Sequence, residues 1–359
     1  MLKKIIIVTR SMYGGGAERV IAQLAKYFDS IKIECKIITI DDEKVFYELP
    51  NGVELIPIGK KSSNKILDRL LRYKEVRNII INENADVVLS MPEDIGIYVI
   101  PSMLMSNIPV VVSERNNPWV MPDKKITRIM RRIFYNYVDG IIFQTEEAAT
   151  FFKKNIREKG VILSNPLDLD RIPNQYKGER RKEIVAAGRL VEQKNFELLI
   201  RAFAEFYKEN NDYRLVIYGE GRLRTKLEEI SRELLPEGKC ILPGKSSNLL
   251  EEIKDAAMFV LSSDFEGVPN VLIEAMATGI PVISTDCPSG GPAVLIDNEK
   301  NGMLIPVNDK IELIKAMEKL KDPIRATMIA NNALKIREEL GSDRIYVKWF
   351  EYLNKYANK

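Results

Sequence analysis

No histidine occurs among the 359 residues. Its absence excludes histidine-based triads, a histidine general base and histidine-ligated metals. Cysteine is scarce: Cys35, Cys240 and Cys287 stand far apart, with no Cys-x-x-Cys pair. Neither a disulfide framework nor a zinc site is expected, and a reduced, cytoplasmic setting fits. Long apolar runs are missing. The opening Met1-Leu-Lys-Lys-Ile-Ile-Ile-Val-Thr stretch is too short to span a bilayer and carries no cleavage signal, so it reads as a first buried strand. Strong net charge is missing as well. With 54 basic and 51 acidic side chains the balance is +3, which gives no footing to nucleic-acid binding. The balance is uneven: residues 1–166 carry 25 basic and 20 acidic side chains, and the remainder 29 and 31. An anionic partner surface would therefore be met by the N-terminal half, although chance also produces such a split.

What is present is a chain of two-domain length, 45% hydrophobic, able to bury a core in each half. Short β-branched runs alternate with amphipathic stretches. Strands are predicted at 4–9, 34–40, 86–90, 109–113, 140–144 and 160–163, with helices near 17–28, 67–82, 95–105, 125–137 and 146–155. The alternation pauses at 165–182, where Pro166, Pro173, Gly178 and a charged run suggest a linker. It resumes with strands at 183–187, 214–218, 240–242, 258–261, 281–284 and 303–306. Helices are predicted near 196–209, 222–234, 248–255, 271–278 and 312–319, and the region from 324 onward is helical by pattern. Nearly continuous Ile/Val strands suit parallel sheets covered on both faces. The fold class is α/β, with two doubly wound, Rossmann-like domains facing a cleft. Residues 1–166 form the first, 167–342 the second, and ligands belong beyond the carboxyl ends of the strands.

Several segments fall at such strand ends. Gly14-Gly15-Gly16 lies between a strand and a helix and allows close backbone approach to an anion, or serves only as a tight turn. Arg19 occupies the third glycine position of the dinucleotide fingerprint, so that motif fails. Gly188-Arg189 and Lys194 could close on a diphosphate from two sides, a planar fork and a point charge; ordinary solvated charges are the alternative. Tyr218-Gly219-Glu220-Gly221 is a further glycine turn. Glu266 and Glu274 lie eight positions apart, one in a loop and one inside the next helix. Between them Gly267-Val268-Pro269-Asn270-Val271 forms a helix start whose N–H groups can donate to phosphate or hydroxyls. Glu274 lies among apolar neighbours, so it needs a polar partner, and a ribose diol would serve. Ser113-Glu114-Arg115-Asn116 puts polar groups at another strand end, as a ligand site or a plain loop. Lys124, Lys125, Arg128, Arg131 and Arg132 recur along one helix, either as a basic face for anionic lipid or as a solvated helix with one buried stripe.

Taken together, these motifs resemble the retaining glycosyltransferases of family four, with the GT-B fold, over nearly the whole chain. The most specific element is the Glu266-x7-Glu274 segment. Gly188-Arg189-Leu-Val-Glu-Gln-Lys194-Asn195, Gly14-Gly-Gly-Ala-Glu18 and Ser164-Asn165-Pro166 agree with it.

The resemblance implies that Arg189 and Lys194 bind the donor diphosphate and Glu274 the ribose. Glu266 and the 267–271 backbone would position the donor sugar, and Gly15 and Gly16 would approach the phosphates. A final helix, 343–359, would pack back on the first domain, which takes the acceptor. The donor would be a nucleotide sugar, most often a UDP-sugar. Relatives often have histidine after the strand ending at Ser113; here Glu114-Arg115-Asn116 stand there, and Arg115 would contact the acceptor or donor sugar. Near Val294 relatives often carry a glutamate that this chain lacks. The implied activity is metal-independent, cofactor-free retaining transfer to a saccharide or lipid-linked saccharide in surface-glycan synthesis, in the cytoplasm or peripherally on the inner membrane face. A nucleotide-sugar epimerase or a non-catalytic nucleotide-sugar-binding protein are the alternatives.

Overall fold

The computed structural model describes residues 1–41 and 45–357, and the chain divides into two compact units. Unit 1 comprises Met1–Pro166 with the C-terminal stretch from Ser342 onward, and unit 2 comprises Leu167–Gly341.

Unit 1 runs β1 (Lys4–Thr9), α1 (Gly16–Ser30), β2 (Glu34–Thr39), β3 (Glu54–Pro57), α2 (Lys65–Asn82), β4 (Val87–Ser90), α3 (Gly96–Met103), β5 (Val110–Ser113), α4 (Lys125–Phe134), β6 (Gly140–Phe143), α5 (Glu146–Thr150), α6 (Lys154–Arg157) and β7 (Gly160–Ile162). Among the described residues these strands form one sheet in the order β3-β2-β1-β4-β5-β6-β7, and the pairings are parallel. Ile5, Ile6, Ile7 and Val8 are all fully buried, the mark of a strand covered on both faces.

Unit 2 runs β8 (Arg181–Ala187), α7 (Phe196–Glu209), β9 (Arg214–Tyr218), α8 (Arg224–Leu234), β10 (Cys240–Gly244), α9 (Leu249–Ile253), β11 (Ala256–Leu261), α10 (Asn270–Thr278), β12 (Val282–Thr285), β13 (Met303–Ile305), α11 (Lys310–Lys319), α12 (Pro323–Ala333) and α13 (Ile336–Leu340). Its parallel sheet has the order β10-β9-β8-β11-β12-β13. The chain then returns to unit 1 as α14 (Ser342–Asn354). There Trp349, fully buried, donates its indole N–H to the Ser164 carbonyl. Tyr352 bonds to both backbone groups of Ile141. Asn358 and Lys359, part of the expected final helix, lie outside the described residues.

Each sheet reverses its strand order once, between β1 and β4 in unit 1 and between β8 and β11 in unit 2. Ligands in open α/β sheets bind where the order reverses, beyond the strands' carboxyl ends. The segments after β1 and β4, and after β8 and β11, are thereby selected by topology alone.

Some expectations are corrected. β3 has no counterpart among the predicted strands; its four residues lie at the sheet edge, half-exposed, and Pro57 weakens the pattern. The helix expected over 146–155 is two short ones, Glu146–Thr150 and Lys154–Arg157, broken by a turn at Phe151–Lys153. The helix expected to reach Tyr137 ends at Phe134 and tightens into a 3₁₀ turn. The predicted linker also ends early. Arg180 donates to the carbonyls of Lys254, Ala256 and Gly279, and Arg181 opens β8, pairing with Asp255. Only the end of the charged run, Arg181-Lys182, is strand rather than linker, and the two guanidiniums of the run find carbonyls and a carboxylate to cap.

Candidate functional site

In unit 2 the site grows from two loops at the β8/β11 reversal. β8 ends at Ala187, and the Gly188 N–H donates to Tyr218 at the end of β9. A side chain at Gly219, where φ is +139°, would strike the Gly188 carbonyl; only glycine allows this turn to close. A short 3₁₀ turn, Glu192–Lys194, then leads to Asn195. Asn195 has φ 44°, and its side chain caps α7 through the Leu198 N–H. It also donates to Asp264 and Asn308. That knot fixes where Lys194 leaves the backbone.

After β11, the Asp264 N–H donates to the Gln193 carbonyl, joining the two loops. Lys194 Nζ reaches Glu266 Oε1 at 2.5 Å, with both side chains about nine-tenths buried. Ser263 Oγ donates to the same oxygen at 2.7 Å, and Gln193 Nε2 donates to Oε2 at 3.3 Å. Ser289 Oγ holds the Glu266 carbonyl at 2.6 Å. Gly291 lies so close to the Gly267 carbonyl that a Cβ there would sit 1.7 Å from it. Gln193, Ser263 and Ser289 were not singled out in the sequence. Their signal is weak, since small polar residues in loops are common.

α10 begins at Asn270 with Pro269 as its N-cap and ends at Gly279 in the left-handed conformation. Gly267, Val268 and Pro269 are buried, and Asn270 and Val271 half-buried. Glu274 is buried on this helix between Ile273 and Ala275. Arg189 is exposed, and no acid among the described residues pairs with it. The rim continues past β9, where the Gly219 N–H meets the Gly244 carbonyl. There an open cavity of about 300 Å³ is lined by Tyr218, Gly244, Lys245, Ser246 and Glu252, among others. Burial, and the neighbouring Glu252, push the Tyr218 hydroxyl up to about 12. Of this lining, the sequence marks only Tyr218, at the head of the Tyr218-Gly219-Glu220-Gly221 turn. Val294 is exposed in the turn after Gly290, an apolar side chain where the family resemblance leads one to expect an acid.

In unit 1 the corresponding reversal brings together the loops after β1, β4 and β5. Gly15 caps α1 and Gly16 is its first residue. The Glu18 carboxylate lies against Gly15, where a Cβ would be 2.2 Å from Oε2, so an acid already sits at this helix N-terminus. Gly14 has φ +106°. After β4 comes Glu93, 4% exposed, which the sequence reading missed although Pro-Glu-Asp at a strand end was visible. Its Oε2 accepts the Arg115 backbone N–H at 3.3 Å. Burial above all, then the charges of Glu114 and Asp94, raises the Glu93 carboxyl to about 8. Arg115 donates to Asn165, which also accepts from Gln144 at 3.0 Å. Its guanidinium lies 5.8 Å from the Trp349 ring, and burial lowers it to about 10. Arg115 Nη1, Ser90 Oγ and Ser113 Oγ are buried and lack hydrogen-bond partners among the described residues. Asn116 is half-buried and accepts the Asn117 N–H.

Two expectations fail here. Glu114 does not face a ligand: it is 1% exposed and is held by Arg131 Nη1 at 3.0 Å and the Tyr135 hydroxyl at 2.6 Å. Burial raises both the Glu114 carboxyl and the Tyr135 hydroxyl. Arg131 correspondingly leaves the basic surface. It is fully buried and also donates to the Met121 and Pro118 carbonyls. Arg128 is half-buried and donates to the carbonyls of Val120, Pro122 and Asp123. Lys124, Lys125 and Arg132 remain exposed. Ile126, Ile129 and Ile133 are exposed with them, at 61%, 46% and 53%. An arginine and three isoleucines have exchanged the places that hydropathy alone assigns, because Glu114 needs a counterion.

Comparison with known proteins adds the following. The family model "Glycosyltransferase Family 4" matches residues 14–171, and "Glycosyl transferases group 1" matches residues 170–336. A Campylobacter jejuni protein named N-acetylgalactosamine-N,N'-diacetylbacillosaminyl-diphospho-undecaprenol 4-alpha-N-acetylgalactosaminyltransferase is 30% identical over 355 residues, 94% of this chain and 95% of the relative. A second Campylobacter jejuni protein, an alpha-1,4-N-acetyl-D-galactosaminyltransferase acting on a diNAcBac-PP-undecaprenol glycan, is 25% identical, covering 99% of this chain and all of its own length. Among solved structures, Anabaena HepE with UDP and glucose superposes with a TM-score of 0.83 at 15% identity, covering 99% of this chain and 100% of that one. Sucrose-phosphate synthase from Thermosynechococcus elongatus gives 0.85 at 16% identity, with 99% and 100% covered.

Proposed function

Because this chain belongs to the glycosyltransferases of group 1 and family 4, with the GT-B fold, we propose that it moves a sugar, with retention of configuration, from a UDP-sugar to a lipid-linked saccharide. The observation that carries the reading is the Lys194–Glu266 pair with exposed Arg189 at the strand-order reversal of unit 2. The diphosphate lies between Arg189 and Lys194, an arrangement suited to neutralising charge that grows on the leaving group. Its arrival releases Glu266 from Lys194 to accept hydroxyls of the donor sugar, with the Gly267–Val271 backbone at the start of α10 alongside. Glu274 accepts from the ribose, and the cavity at Tyr218–Glu252 receives the base. Glu266, Arg189 and Lys194 are thus the catalytic residues.

Unit 1 takes the acceptor. Arg115 Nη1 and the Ser90 and Ser113 hydroxyls, buried without partners among the described residues, supply donors for an anion and hydroxyls, with Asn116 beside them. Gly15 and Gly16 give a backbone approach to an anion at the start of α1. With no histidine in the chain, the departing diphosphate itself takes the acceptor's proton, and positioning plus electrostatics supply the rate. No resident metal takes part, and activity in excess chelator tests that. The lipid-linked acceptor is supported by the names of the two Campylobacter relatives. No helix among the described residues is long and apolar enough to cross a membrane. The protein works at the inner face of the membrane, with Lys124, Lys125, Arg132 and the α4 isoleucines toward lipid. Measuring UDP release from candidate nucleotide sugars, with and without a polyprenyl-diphosphate-linked saccharide, tests the reading. Acceptor-dependent release supports it, and acceptor-free interconversion of the nucleotide sugar would favour the epimerase.

A further inference from the structure

The loop that follows β12 takes no part in the donor contacts proposed above, yet it grips the loop that holds Glu266. Thr285, the last residue of β12, donates its hydroxyl to the Ser263 carbonyl at 2.6 Å. Cys287 Sγ lies 3.2 Å from the same oxygen. Burial pushes that thiol up to about 12, so it keeps its proton and stays a donor. Ser289 Oγ donates to the Glu266 carbonyl at 2.6 Å. Gly291 then packs against Gly267, where a Cβ would meet both the carbonyl group and the Val268 nitrogen. Thr285, Cys287 and Ser289 are all buried.

Ser289 is the most informative of these residues. Its φ is +81°, a left-handed conformation that glycine adopts without strain and serine does not. Glycine at this position would relieve the strain and lose the hydroxyl. The strained side chain gives its proton to the Glu266 backbone, and a buried carbonyl that loses its donor is destabilised. Backbone strain of this kind persists where the surroundings over-determine a geometry, and here that geometry is the placement of Glu266.

The carboxylate itself is held by charge and by neutral donors. Among the described residues Lys194 is the one cation paired with it, and in the proposed reaction the diphosphate claims that ammonium. Ser263 Oγ and Gln193 Nε2 then remain. Ser263 is itself fixed through its carbonyl by Thr285 and Cys287, so a line of hydrogen bonds runs from the end of β12 to Glu266 Oε1. We propose that the 285–291 loop aims Glu266 at the donor sugar independently of Lys194, with Ser289 and Thr285 as positioning residues that touch no substrate. The inference rests on the donor-sugar reading of Glu266 above.

The test compares UDP with UDP-glucose, UDP-galactose, UDP-N-acetylglucosamine and UDP-N-acetylgalactosamine by calorimetric titration of the full-length protein. Ser289→Gly removes the hydroxyl and accepts the backbone conformation. UDP should bind the parent and Ser289→Gly alike, which shows the variant folded and its nucleotide contacts intact. The affinity for the UDP-sugar that the parent prefers, taken relative to UDP, should fall roughly tenfold in Ser289→Gly. Thr285→Val, which keeps the shape and loses the hydroxyl, should lower it in the same direction. In a Glu266→Ala background Ser289→Gly should leave that ratio nearly unchanged, because no carboxylate remains to be aimed. An unchanged ratio in Ser289→Gly with Glu266 present overturns the proposal. So does an equal fall in both backgrounds, or a parallel loss of UDP binding, since either marks a merely structural loop. A parent that does not bind UDP at all overturns the donor reading itself, and the proposal with it.

Discussion

The Lys194 ammonium and the Glu266 carboxylate neutralise one another, so two charges stay nine-tenths buried at modest cost. Arg189 has no such duty. The two cations should therefore separate on mutation. Arg189→Ala is expected to lower the rate about 100- to 1000-fold, the cost of losing one oxyanion donor, with an unchanged melting temperature. Lys194→Ala should lower the rate as much, and in addition destabilise unit 2 by about 1–3 kcal/mol, since Glu266 keeps only neutral donors. Near-normal turnover in both would remove the diphosphate assignment. Glu93 offers a second test at this scale. Its folded value near 8 lies above that of an unfolded carboxyl. The folded protein thus holds a proton that the unfolded chain releases between about pH 4.5 and 8, and stability falls as pH rises through that window. Glu93→Gln should melt above the parent at pH 8, and the gap should close toward pH 5. A gap independent of pH would contradict the raised value.

Elements were legible in the sequence where one physical pattern dominated. β1, β9 and α7 fall where their patterns place them because apolar period and burial agree along their whole length. β3 was missed because four residues at a sheet edge show no period. α4 was the instructive case. Its arginines and isoleucines were both seen, but which side each took depends on Glu114, eleven residues upstream of the helix, and no local pattern carries that. The same holds for the candidate site of unit 2. Glu266, Glu274 and Lys194 stand in recognisable motifs, whereas Gln193, Ser263, Ser289 and Glu93 acquire meaning only from what folding brings beside them. Arg131→Met is expected to cost about 3–5 kcal/mol in urea unfolding, because it strands a buried carboxylate. Adding Glu114→Gln should recover much of that loss. No recovery would mean that Arg131 matters for packing rather than for charge.

At the scale of the whole chain, the final helix returns to the unit that the N-terminus began. Trp349 and Tyr352 close unit 1, so Trp349→Ala should destabilise that unit by about 3–5 kcal/mol, read as a lower first transition in calorimetry. The two parallel sheets each reverse strand order where the candidate residues lie, and that coincidence ties fold to function. In the proposed reaction donor chemistry belongs to unit 2 and acceptor chemistry to unit 1. The central claim is transfer from a nucleotide sugar, and product mass tests it most directly. The full-length protein is incubated with a panel of UDP-sugars and a polyprenyl-diphosphate-linked saccharide, and both products are followed by mass spectrometry. The account predicts that for one donor the acceptor gains a single sugar while UDP appears in equal amount, and that Arg189→Ala suppresses both. An unchanged acceptor across the panel, with the nucleotide sugar converted to an isomer or merely bound, would contradict it.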